Sequence, residues 1–189
     1  MGYTTEFTGK IEIVPALNET EIKYIQQFND TRRMERTNGA YFVGGTGMCG
    51  QGQDDDIINY NQPPQGQPSL WCQVTCSDDG KYLEWDGGEK AYSMEIWMLY
   101  IIKHFLGKDP IARQVNKSFG FLKGHMLNGT LAAEGESHDD NWQISVIDNV
   151  VYKQEHDESK LGLGELVQVE LEVGQLALSN SPTGLLEHS

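Results

Sequence analysis

The stretch Trp71–Leu106 reads WCQVTC (71–76), SDDG (77–80), KYLEWDGG (81–88) and EKAYSMEIWMLYIIKHFL (89–106). In the first run, Leu70, Cys72, Val74 and Cys76 fall on one face of an extended chain, and Trp71, Gln73 and Thr75 on the other. Asp79-Gly80 supplies the positive φ angles of a tight hairpin. Beyond it, Leu83 and Trp85 share one face, and Tyr82, Glu84 and Asp86 the opposite one. Gly87-Gly88 lets the chain turn into a helix whose residues from Ile96 to Leu106 are apolar almost all round. Such a helix is buried or spans a membrane. At about thirteen residues it is too short to span, since about twenty are needed. It is therefore read as the central core helix, with Ser93 as N-cap and Gly107 and Pro110 as its stop.

Upstream, Glu6–Val14 alternates as a strand with Phe7, Ile11 and Ile13 on one face, and Pro15 ends it. Asn18 and Glu21 form a capping box, Leu17 staples onto Ile22, and a helix runs to about Arg33. Arg32, Arg33 and Arg36 then complement the negative end of its dipole. Gly39–Ser69 shows no period and exceeds ordinary loop length, which suggests a flap or an ordered excursion. Tyr41-Phe42-Val43 and Ile57-Ile58 are its candidates for packing on the core. Its glycine run, GGTGMCGQG (44–52), lacks the Lys-Ser/Thr of a phosphate loop.

Downstream, a mixed connector (108–123) leads to a strand over Gly124–Glu136, with His125, Leu127, Leu131 and Ala133 in phase. Ser137–Asn141 is turn chemistry, and Trp142–Tyr152 reads as one strand. Gln154–Lys160 reads as a linker, and Val167, Val169, Leu171 and Val173 alternate as a last strand. The order β-α-β-β-α-β-β predicts an α+β domain over residues 1–153. Its antiparallel sheet carries two helices on one face, in a ferredoxin-like split β-α-β arrangement. Residues 154–189 follow as an acidic linker, an extra strand and a frayed tail.

Net charge is −14 over 189 residues, and the pI is near 4.6. Both oppose direct binding to nucleic acid or to an anionic membrane. Residues 134–172 hold eleven acids against Lys153 and Lys160, so −9 of the charge sits there and electrostatic recognition is expected there. Met1–Ile13 lacks a basic start and an apolar run, and the cysteines (Cys49, Cys72, Cys76) are odd in number. A cytoplasmic protein is expected.

Three stretches carry a resemblance: MGYTTEFTG (1–9), LWCQ (70–73) with LEWDGGEK (83–90), and LNGT (127–130) with 142–151. They resemble a small group of uncharacterised bacterial and phage proteins. The resemblance covers most of residues 1–152 and not the tail. It implies a bacterial or phage cytosolic origin and implies no activity.

The candidate ligand-binding residues are Glu84, Asp86, Gly87, Gly88, Glu89 and Lys90. Clustered carboxylates hold a hard cation or do acid-base work, although Lys90 would neutralise a metal site, so no metal and no cofactor are expected. The competing reading leaves Glu84 and Asp86 solvated and Glu89 at a helix start. His104 suits a helix C-terminus as an imidazolium, and His125 and Asn128 point to opposite faces. His138 with Asp139 and Asp140 reads as an exposed turn. The cysteines lack zinc spacing and read as buried small hydrophobes. Trp71, Trp85, Trp97 and Trp142 read as core anchors.

These features favour a non-enzymatic binding or regulatory protein that recognises a host protein or a small ligand, with the Gly39–Ser69 loop folding over the Trp85–Lys90 turn. The alternatives are a small enzyme using Glu84, Asp86 and Glu89 with a divalent cation, and an acidic decoy of nucleic acid. Self-association stays open.

Overall fold

The computed structural model describes residues 4–46, 54–136, 140–157 and 162–170. Strand β1 (Glu6–Val14) is followed by helix α1 (Glu19–Asp30) and a small ribbon of β2 (Glu35–Arg36) and β3 (Ile57–Asn59). The hairpin strands β4 (Val74–Cys76) and β5 (Tyr82–Trp85) come next, then α2 (Met94–Ile101), which continues as a π-helical turn over Ile102–Leu106. After α3 (Ile111–Val115) and a 3₁₀ turn (Lys117–Phe119) come β6 (Met126–Glu134), β7 (Asn141–Ile147), β8 (Val150–Asp157), β9 (Gly162–Leu163) and β10 (Val167–Gln168).

Among the described residues, the main sheet has eight strands in the order β4-β5-β1-β6-β7-β8-β10, with β9 also on β8. Every pairing is antiparallel. Strand β5 lies between β1 and β4, so β1-α1-β4 is a split β-α-β unit. The order β6-β1-β5-β4 is that of the ferredoxin-like arrangement, and β7 to β10 extend the sheet beyond it. Helix α2 crosses beneath, touching both β4 and β8.

Alternation decides the core. Phe7, Ile11, Ile13, Leu83, Leu127, Leu131, Ile144, Val146 and Val151 point to the helical side and are buried. Trp97, Met98, Leu99, Tyr100, Ile101, Phe105 and Leu106 meet them from α2 and its π turn, with Phe28 from α1. Two glycines let β1 and β6 approach. At Gly129, with φ of +148°, a Cβ would lie 2.5 Å from the Lys10 carbonyl oxygen, and at Gly9 it would run into that of Thr130.

Several local expectations are corrected. In the β4–β5 turn only Gly80 takes a positive φ, because the Gly80 N–H closes back on the Ser77 carbonyl in a four-residue turn. Gly80 is also needed for contact: a Cβ there would meet Leu17 and Ile22 of the α1 entry at about 3 Å. Ser93 occupies the N-cap position but is left-handed and makes no side-chain cap; its carbonyl takes the Ile96 and Trp97 N–H groups. The core helix ends through the Gly107 N–H bonded to the Ile102 carbonyl at 2.6 Å, a π-type closure.

Residues 142–152 are two strands. Asp148 and Asn149 both take positive φ in a two-residue hairpin, and Asn149 braces it by accepting from the Leu127 N–H and donating to the His125 carbonyl. Residues 154–157, expected as linker, are strand: β8 runs on to Asp157 because β9 pairs with it. Between β9 and β10 the register against β8 slips by one residue, a β-bulge at Gly164–Leu166. Leu171 and Val173 lie outside the described residues.

Candidate functional site

The Trp85–Lys90 turn is bonded mainly to its own surroundings. Asp86 Oδ1 accepts the Gly88 N–H at 2.8 Å, and its Oδ2 accepts from Asn29 Nδ2 on α1 at 3.0 Å. Glu84 faces outward and pairs with Lys10 of β1 at 2.9 Å. Gln73, across the hairpin, donates to the Glu89 carbonyl at 2.8 Å. Gly87 and Lys90 take left-handed φ, which the sharp turn into α2 requires. Asp86 to Lys90 thus form one turn following Glu84 of β5, and the Glu84 and Asp86 carboxylates serve different local bonds. Among the described residues, no group of three or more His, Cys, Asp or Glu side chains is placed to hold a metal ion. His138, Asp139 and Cys49 lie outside the described residues.

The long connection is an ordered excursion anchored by two arginines. Arg33 is buried and donates to the Ala40 and Phe42 carbonyls at 2.9 and 2.8 Å and to Gln67 at 3.2 Å, lying 3.9 Å from the Phe28 ring. Burial pulls its guanidinium down to about 10. Arg36 pairs with Asp54 and Asp56 at 3.0 and 2.8 Å. These arginines hold the loop rather than cap a helix dipole. Tyr41 and Val43 pack on the core as expected, whereas Ile58 is exposed.

His104 and His125 are structural. His104 lies in the π-helical turn, stacked on Tyr100 with ring centroids 3.9 Å apart, and its Nδ1 is 2.7 Å from the Tyr41 hydroxyl. Burial, helped by Lys103, lowers its pKa to about 4. It is therefore a neutral imidazole bonded to the Tyr41 hydroxyl, not the imidazolium expected at a helix end.

His125 sits between two acceptors, the Pro15 carbonyl at 2.7 Å and Glu21 Oε1 at 3.0 Å. Glu21 also accepts the Lys123 and Asn18 N–H groups, so the capping box and the pair share one buried carboxylate. Burial opposes the charged form of each partner, but hydrogen bonding outweighs it. The Glu21 pKa is lowered by His125 and the two N–H groups, and the His125 pKa is raised by Glu21 and Pro15. The result is a closed imidazolium–carboxylate pair. Cys72 and Cys76 are buried free thiols pushed up to about 12 by burial. Trp97 donates to Ser69 and is a core anchor, while Trp85 and Trp142 pack edge-on against Phe7.

Another feature is open. A groove of about 620 Å³ lies between the first turn of α2 and the β8–β10 end of the sheet. Among the described residues, the floor includes Ile96, Val167 and Val169, and four carboxylates line it: Glu95, Glu155, Glu165 and Glu170. Lys153 and His156 are the basic side chains among the described residues of the lining. Lys153 lies 3.1 Å from Glu155, 3.7 Å from Glu95 and 4.6 Å from the centre of the Trp142 ring. The charge asymmetry of residues 134–172 and the alternating valines were its signals in the sequence. The pairing of that segment with Glu95, some sixty residues earlier, had none.

No helix among the described residues is long and apolar enough to cross a membrane. No family profile, curated protein or solved structure matches this chain.

Proposed function

We propose that the protein is a non-enzymatic cytoplasmic binding or regulatory protein that recognises a positively charged partner, a host protein or a small ligand, in the α2/β8–β10 groove. The observation that carries this reading is the groove itself: an apolar floor framed by four carboxylates. A groove of this volume lies within the range of ligand sites, and its charge selects cations. Among the described residues, two histidines and two thiols elsewhere are held in closed contacts. His104 is neutral against Tyr41, His125 is paired with Glu21, and both described thiols are buried.

The Trp85–Lys90 turn fits a structural role better than a ligand-binding one, because Asp86 bonds its own turn and α1. A carboxylate-and-cation enzyme at Glu84, Asp86 and Glu89 draws no support from this arrangement. An acidic decoy of nucleic acid would share the electrostatics, but the apolar floor favours a ligand with hydrophobic as well as basic groups.

Titration with poly-lysine at low and high salt tests the reading. Binding that weakens with salt and falls in the Glu165→Gln/Glu170→Gln variant is expected. No binding at low salt, or binding indifferent to both substitutions, refutes it.

A further inference from the structure

The groove already holds one cation, and it is the protein's own. The Lys153 ammonium sits among the Glu155 carboxylate at 3.1 Å, the Glu95 carboxylate at 3.7 Å and the Trp142 ring at 4.6 Å. Two carboxylates and an aromatic face make a three-sided cation site. The register explains how it forms. Trp142 pairs with Glu155 and Ile144 with Lys153 across β7 and β8, so Lys153 lies diagonally from Trp142 on the same face. Glu95 reaches in from the first turn of α2. The nearby helix N–H groups of Ile96 and Trp97 are taken by the Ser93 carbonyl, so the helix start does not turn the groove into an anion site.

Resting on the binding function proposed above, we propose that this cage is the recognition site for a lysine ammonium on an extended segment of a partner protein, and that Lys153 is its resident stand-in. The groove follows β10 and the Val169 beyond it, so that Val167 and Val169 alternate with Gln168. Glu165 and Glu170 mark off a length on the order of 15 Å, at about 3.3 Å per extended residue. An extended segment with alternating apolar and lysine side chains matches that spacing. A half-exposed ion pair is weak, so an incoming ammonium can take the place of Lys153, whose side chain is 30% exposed. A site occupied by an internal competitor binds with an apparent affinity reduced by its free fraction.

The test uses the full chain and an end-blocked peptide of alternating valine and lysine, titrated by calorimetry. Lys153→Met should tighten binding about five- to tenfold, by removing the competitor. Lys103→Met removes an equal charge from the solvent-exposed side of the core helix and should change affinity little. Glu95→Gln, placed in the Lys153→Met background, should reverse the gain, and the same peptide with acetylated lysines should not bind. Equal effects of Lys153→Met and Lys103→Met, or no effect of Lys153→Met while the wild type binds, overturn the resident-cation inference and leave the binding function standing. No binding of the peptide by any variant overturns both. If 1,5-diaminopentane binds the Lys153→Met protein as tightly as the peptide, the occupant is a small amine and the choice of a partner segment is wrong.

Discussion

Two charge clusters join distant parts of this chain, and they differ in what surrounds them. The Glu21–His125 pair is sealed, with side-chain exposures of 0% and 1%, and backbone groups bond to both partners. The Lys153 cluster is half open, with Glu155 at 75% exposure and groove around it. In the first, both imidazole nitrogens and both carboxylate oxygens have partners, and the pair fixes the α1 entry against the start of β6. In the second, water and other cations can compete. The same pair chemistry therefore serves as a lock in one place and as a replaceable contact in the other.

The largest expected effect comes from breaking the lock. His125→Gln should cost about 3–5 kcal/mol in denaturant unfolding, the usual result of stripping one partner from a buried pair. A cost below about 1 kcal/mol would mean the pair is not a lock.

Acidity sharpens the point. The raised His125 pKa gives stability that is complete below its ordinary value of 6.5 and is lost as pH rises through the folded value. The lowered Glu21 pKa gives stability that is complete above its ordinary 4.5 and is lost as pH falls through the folded value. The difference between wild type and His125→Gln should therefore be greatest between pH 4.5 and 6.5 and shrink on either side. His104 works in the other direction: held down to about 4, it penalises the fold progressively as pH falls below 6.5. It does so in both proteins and cancels in the difference.

Gly129→Ala should come next, at about 1–3 kcal/mol, since a left-handed φ and a backbone collision coincide there. Asp86→Ala should cost about 1 kcal/mol through its lost bonds to Gly88 and Asn29, and should leave poly-lysine binding unchanged. Unchanged stability with weakened binding would instead return the functional site to the turn. Lys153→Met should be smallest, below about 1 kcal/mol, because its ion pairs are half exposed. Thermal melts read all three.

What could be read from the sequence follows from range. The capping box at Asn18 and Glu21, the β1 alternation and the buried helix are written within a few residues, and the structure has them in those places. The β-α-β-β-α-β order sufficed for the split β-α-β sheet because few topologies satisfy short connections. The Asp148-Asn149 turn was legible as two residues that tolerate a left-handed backbone, but the continuous apolar run around it hid the break. His125 with Glu21 was not legible, since 104 residues separate them and neither breaks its local pattern. The candidate turn at Asp86 was found for its carboxylates, yet an aspartate two residues before a glycine N–H satisfies that turn whether or not a ligand exists. The groove needed Glu95 of α2 and Lys153 of β8 brought together, which periodicity does not encode.

The one-residue slip between β9 and β10 has a consequence for crowding. An eight-stranded sheet with two long, flat borders would invite copies of itself to add on, strand by strand. Among the described residues, one border is the three-residue β4, entered through the left-handed Gln73, and the other is two dipeptide runs broken by the Gly164–Leu166 bulge. A neighbour aligned with one dipeptide falls out of step at the next, so these borders give a growing aggregate no continuous template.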